Sequence, residues 1–174
     1  QGSCISNVDV GSATVKLSED GTYNLIIGAA DMGTGCDTVM AQMAADVLEC
    51  EYEDIAVLSG DTDVSPYDSG SYASSTTYLT GIAVDKACRK LRDSIHKIGA
   101  QLLGTTVEET DFNGKEVARL EEIEGEKNSV TLFEIGVKTQ VNNCDETQFT
   151  ATVSSPVSPP PYMAGMAEVE VDTE

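Results

Sequence analysis

The sequence predicts an α+β fold: two layers, with a mixed sheet carrying two long helices on one face. Three observations support this. Short alternating apolar segments bounded by turn residues lie at 13–28 and again at 149–154. Two segments with helical apolar spacing begin after residue 36 and after residue 76. The resulting order is strand, strand, helix, strand, helix, excursion, strand, which suits helices packed together on one side of a sheet.

Residues 13–28 read as a β-hairpin. ATVKL (13–17) alternates, Glu19-Asp20-Gly21 supplies the turn, and TYNLIIG (22–28) returns. After the turn AADMGTG (29–35) a helix begins, with Asp37 or Thr38 able to cap it. Val39, Met40, Met43, Ala44, Val47 and Leu48 form its apolar stripe. The acidic run Glu49 to Asp54 ends it, and IAVLSG (55–60) is expected to be a short buried strand. A hydroxyl-rich loop, DTDVSPYDSGSYASSTT (61–77), leads into the second helix, whose stripe is Leu79, Ile82, Ala87, Leu91, Ile95, Ile98 and Leu102. Gly81 and Gly99 weigh against that helix, at about 1 kcal/mol each relative to Ala. Gly104 is a plausible stop.

Residues 104–128 carry eight carboxylates against Lys115, Arg119 and Lys127, and show no clear period. They are expected to be a solvated excursion with a small hairpin at Asn113-Gly114. TLFE (131–134) has the form of a capping box that starts a short helix. FTATVS (149–154) reads as a strand, SSPVSPPPY (154–162) as a rigid extended connection, and MAGMAEVEVD (163–172) as a final alternating strand. The whole, 1–174, is expected to be a single domain with a variable acidic excursion at about 104–147.

With 174 residues and 40% apolar content the chain is long enough to bury a core. Thirty Asp and Glu against ten Lys and Arg give a net charge of −20. That balance excludes nucleic acid, whose phosphates need clustered cations, and an anionic membrane surface. No apolar run approaches the roughly 18–20 residues of a membrane span. The charge is also uneven. Between Lys16 and Lys86 there is no Lys or Arg but there are 13 carboxylates, and five of the ten basic residues follow at Lys86, Arg89, Lys90, Arg92 and Lys97.

The five cysteines (Cys4, Cys36, Cys50, Cys88, Cys144) are widely spaced with no close pair, unlike a zinc or iron–sulfur pattern. Unpaired thiols and the lack of a signal-peptide pattern predict the cytoplasm. Asp61, Asp63 and Asp68 do not make a calcium loop, because Pro66 stands where such a loop needs Gly. The single histidine, His96, reads as a surface residue, and no catalytic triad or metal site is assigned.

Two strand-to-helix loops could carry chemistry. In Ala30–Asp37, Gly33 and Gly35 let the backbone approach a ligand just before a helix N-terminus, which suits an anion or cofactor; the bland reading is an ordinary β-to-α turn. In Ser69–Thr77, hydroxyls at nearly every position could bind phosphate or pterin nitrogens; the bland reading is a Ser/Thr-rich cap of the second helix.

At these loops the chain resembles the molybdenum-cofactor-binding part of the xanthine dehydrogenase / aldehyde oxidase family. The resemblance rests on D-M-G-T-G (31–35), T-V-x-A-Q (38–42), S-G-D-T-D (59–63), P-Y-D-x-G-S-Y-A-S (66–74) and the terminal S-P-P-P-Y-M-A-G-x-A-E-V-E-V-D (158–172). It is clearest over 11–95 and 148–174. The resemblance implies a molybdopterin held through Met32, Gly33, Thr34 and Gly35 of the first loop and Ser71, Ser74 and Thr76 of the second. It places Tyr72 and Ala73 towards a substrate pocket. Many members carry Gln where Thr34 stands and some carry Arg where Ser75 stands.

Family enzymes hydroxylate a purine, N-heterocycle or aldehyde with oxygen from water and pass electrons through iron–sulfur clusters, usually to a flavin. The implied partners are therefore the remainder of the molybdenum subunit, iron–sulfur and FAD-bearing domains or subunits, and a small-molecule substrate. The family's glutamate base and its iron–sulfur and flavin patterns have no counterpart among these residues, so the piece alone is expected to be inactive. The rival reading is a non-enzymatic acidic interaction domain. An exposed apolar, hydroxyl-lined patch beside 31–36 and 70–77 would favour the cofactor wall over that rival.

Overall fold

The computed structural model describes residues 3–142, 147–162 and 164–173. Strands β1 (Val10–Leu17) and β2 (Tyr23–Ile27) form the expected hairpin. Its turn is closed by Ser18 N–H donating to the Thr22 carbonyl at 2.8 Å, while the Asp20 carboxylate accepts from the Thr22 N–H and hydroxyl. Helix α1 (Cys36–Leu48) leads through a short 3-10 turn to β3 (Ile55–Ser59), and α2 (Thr76–Leu102) follows. Then come β4 (Thr110–Phe112), β5 (Glu116–Arg119), β6 (Ser129–Thr131), α3 (Leu132–Asn142) and β7 (Gln148–Ser154).

The main sheet has the order β3-β2-β1-β7, with β2 and β3 parallel and the other pairs antiparallel. The mixed α+β architecture is therefore as expected. Alternation along the strands puts Ala13, Val15, Leu17, Tyr23, Leu25, Ile27, Ala151 and Val153 on the buried face. There they meet Met40, Ala44 and Leu48 of α1 and Leu79, Ala83, Ala87 and Leu91 of α2. A Cβ on Gly11 would lie 2.5 Å from the Thr80 backbone nitrogen, so β1 and α2 touch backbone to backbone. On the opposite sheet face Asn24, Leu58, Thr150 and Thr152 are exposed, while the central Ser12 and Thr14 are buried and hydrogen-bond across to Thr152 and Thr150.

The two long helices run parallel. Met43 of α1 packs on Gly81 of α2, and Glu49 at the end of α1 pairs with Arg92 further along α2. Both N-termini therefore sit at the same end, beyond the carboxyl ends of β2 and β3.

Four expectations are corrected. Strand β3 is not buried: it is an edge strand, with only Ile55 buried and Leu58 44% exposed, because its second flank has no neighbour among the described residues. The acidic excursion is not merely solvated. It forms a three-stranded sheet, β4-β5-β6, turning at Asn113-Gly114 as expected, and its Phe112, Val117 and Val130 extend the core beneath α2. His96 is half-buried there and its Nε2 lies 3.0 Å from the Thr110 hydroxyl. The same hydroxyl also lies within hydrogen-bond distance of the Thr106 and Val107 carbonyls. Finally, the described part of 163–172 is not a strand: it is exposed, with Val169 and Val171 open, and no strand among the described residues pairs with it; Met163 lies outside the described residues.

The capping box at 131–134 is present. Thr131 N–H donates to Glu134 Oε2 at 2.9 Å and Glu134 N–H donates back to the Thr131 hydroxyl at 3.3 Å. Cys4, Cys36, Cys50 and Cys88 are free thiols, while Cys144 lies outside the described residues. No helix among the described residues is long and apolar enough to cross a membrane.

Candidate cofactor-binding site

Parallel strands followed by helices gather their connecting loops at the strands' carboxyl ends, where open α/β sheets bind ligands. Both candidate loops are found there. The first leaves β2 and enters α1; the second leaves β3 and enters α2. Intervening residues tie them together. The Ser59 hydroxyl donates to Asp37 Oδ2 at 3.0 Å, and Gly28 lies against Pro66 and Asp68, leaving no room for a side chain. Ser69 fastens the second loop to β1: its hydroxyl accepts from the Val10 N–H at 2.9 Å, and its own N–H donates to the Val10 carbonyl.

In the first loop, Gly33 and Gly35 have φ of +90° and +74°, a region L side chains rarely adopt. A Cβ built on either meets nothing within 4 Å. The glycines are thus set by conformation, and the space beside them is open. Gly35 is the N-cap of α1 and gives no side-chain cap; Asp37 and Thr38, the expected caps, lie inside the first turn. Asp31, which the sequence reading left without a role, accepts from the N–H groups of Gly33 (2.7 Å), Thr34 (3.0 Å) and Gly35 (3.3 Å), all on Oδ1. These donors, Gly33 first, hold its carboxyl below the ordinary carboxylate range. An Asp two residues before a glycine is the signal that could have revealed this. Next to it, burial first and then the carboxylates of Asp37, Asp31 and Asp68 push the Cys36 thiol up to about 11, which keeps it protonated.

In the second loop the hydroxyls do not cap α2. Ser75 is the N-cap, yet it makes no capping bond; its hydroxyl donates instead to the Tyr72 carbonyl at 2.9 Å. The Thr76 hydroxyl donates to Ser71 Oγ at 2.9 Å, leaving the Ser71 proton for another acceptor. Ala73 and Ser74 both have positive φ, 54° and 61°, an uncommon strain for non-glycine residues that concentrates at functional loops. Ser74 is exposed and lines a groove of about 660 Å³ between α1 and α2, with Met43, Val47, Tyr78 and Ile82. Around both loops Met32, Val64, Tyr67 and Tyr72 are exposed, Met32 by 69% and Tyr67 by 71%. Exposed apolar side chains thus flank both loops, and neither α1 nor α2 has a side-chain hydrogen bond at its N-cap.

Residues 2–174 match the molybdopterin cofactor-binding domain family. The chain belongs to that family. Among curated relatives it is 39% identical, over 99% of its length, to the probable hypoxanthine oxidase XdhD of Escherichia coli K12, of which it covers 18%. It is 36% identical, over 55% of its length, to the putative xanthine dehydrogenase molybdenum-binding subunit XdhA of the same organism, of which it covers 13%. The molybdopterin-binding chain thus spans less than a fifth of these relatives. Two solved structures share its fold. The reconstituted CO dehydrogenase from Oligotropha carboxidovorans superposes with a TM-score of 0.68 at 24% identity, over 87% of this chain and 18% of that one. Quinoline 2-oxidoreductase from Pseudomonas putida 86 gives 0.66 at 23% identity, over 84% and 19%.

Proposed function

We propose that residues 1–174 act as one cofactor-binding domain of a molybdenum-dependent oxidoreductase, forming a wall of the molybdopterin and substrate site. The observation that carries this reading is the open space beside the left-handed Gly33 and Gly35, at the same sheet end as hydroxyls that are not used as caps. The residues fit the group: a flat pterin can approach Gly33 and Gly35 without meeting a side chain, with Met32 and Thr34 flanking it. Ser71, Ser74 and Thr76 offer hydroxyls to its polar edge or phosphate. Tyr72 and Ala73 face the substrate side.

When bound, the cofactor supplies the two-electron oxidation by which a water-derived oxygen is placed on substrate carbon. The chain's own residues bind, orient and shield it. Residues 17–85 contain no Lys or Arg, so cationic partners of a phosphate come from elsewhere in the enzyme. Substrates of this class are purines, N-heterocycles or aldehydes, and the 39% identical relative, a probable hypoxanthine oxidase, favours a purine. Iron–sulfur and FAD-bearing partners would take the electrons, in the cytoplasm. The test is the complete enzyme with Gly33→Leu or Gly35→Leu. Both variants should purify folded and lose molybdenum; a wild-type molybdenum content in either would refute the reading.

A further inference from the structure

On one side of the glycine turn three backbone N–H groups converge on a single oxygen, Asp31 Oδ1, at 2.7, 3.0 and 3.3 Å. A Cβ built on Gly33 or Gly35 meets nothing within 4 Å. Asp31 is itself exposed, so burial does not hold it in place; the three N–H groups do. A row of N–H groups before a helix would ordinarily be the place for an anionic ligand. Here that place is filled by the chain's own anion. A phosphate arriving on the same side would meet a like charge within hydrogen-bond distance, with no Lys or Arg between residues 17 and 85 to offset it.

We propose that Asp31 is the positioning residue of the cofactor turn: its carboxylate takes up the N–H groups of residues 33–35 and fixes the two left-handed glycines, so that molybdopterin is received on the open Cα side. This rests on the molybdopterin reading given above. Two glycines flanking one threonine would otherwise have the widest backbone freedom a chain can have, and the turn would have to be ordered at the moment of binding. Asp31 orders it beforehand.

The test compares Asp31→Ala and Asp31→Asn in the complete enzyme. Asn keeps an oxygen that accepts the same three bonds but removes the charge. Two readouts are taken: molybdenum and molybdopterin content of purified enzyme, and hydrogen exchange of the amides of residues 33–35 in cofactor-free enzyme. Asp31→Ala should lose amide protection and about tenfold in cofactor occupancy at limiting cofactor, and Asp31→Asn should restore both. If the carboxylate merely occupies an anion site meant for the cofactor, both variants will load at least as well as wild type, and the proposal is overturned. Unchanged amide exchange in Asp31→Ala overturns it too. A wild-type enzyme free of molybdenum would instead defeat the family-based reading, and the exchange comparison would still decide the role of Asp31.

Discussion

Gly99 of α2 and Val117 of β5 touch so closely that a Cβ on Gly99 would lie 2.5 Å from both Cβ and Cγ2 of Val117. This contact joins the long helix to the small sheet, and both residues are buried.

Gly99→Ala should therefore destabilise the protein despite its better helix propensity. Ala gains about 1 kcal/mol in a helix, but overpacking costs about 1–3 kcal/mol. Here the obstructing atoms include the stiff Cβ of a β-branched residue, so the larger figure applies. Urea unfolding should show a net loss of about 1–2 kcal/mol; a stabilised variant would mean that β5 moves aside freely.

Tyr23 makes the opposite case. Its ring is fully buried in the sheet–helix core, and its hydroxyl has no hydrogen-bond partner among the described residues. Burial, with smaller contributions from Cys50, Cys88 and Asp54, drives its ionisation well above the ordinary tyrosine range. Tyr23→Phe removes the stranded hydroxyl and keeps the ring. It should be neutral or stabilising by about 1 kcal/mol, measured as a rise in thermal midpoint. A clear loss would reveal a partner for the hydroxyl, such as a bound water.

The buried thiols make stability fall at alkaline pH. Burial first, followed by Asp37 for Cys36, Asp54 for Cys50 and the Cys50 thiol for Cys88, raises Cys36 and Cys50 to about 11 and Cys88 to about 12, against an ordinary 9.0. Between pH 9 and 12 the unfolded chain therefore releases protons that the folded chain retains. Stability contributed by these groups is complete below pH 9 and declines through that window. Chemical-denaturation midpoints should drop from pH 8 to pH 11, and Cys88→Ala should show a shallower drop. An unchanged slope in that variant would remove Cys88 from the account.

The hairpin, both long helices, β7 and the capping box at Thr131 could be read from sequence because each is set by local spacing and turn chemistry. What could not be read depends on neighbours. IAVLS looks like a buried strand, but alternation does not tell an edge strand from a central one. AEVEVD has strand alternation, but no strand among the described residues pairs with it. Gly81 and Gly99 looked like defects in α2; they are where Met43 and Val117 come closest. At the site, the glycines and hydroxyls were visible as residue types. The capture of three amides by Asp31, and the diversion of Ser75 from capping to the Tyr72 carbonyl, required coordinates.

The length of α2 has a mechanical consequence. At 27 residues it is a rod of about 40 Å. One end carries the hydroxyl loop, while Gly99, near the other, is wedged against the small acidic sheet. A tilt of one degree about that wedge would swing the loop end by about 0.6 Å, the same order as the misplacement of about 1 Å that can slow an enzyme a hundredfold. The acidic sheet thus braces the far end of the shaft on which the hydroxyl loop is mounted.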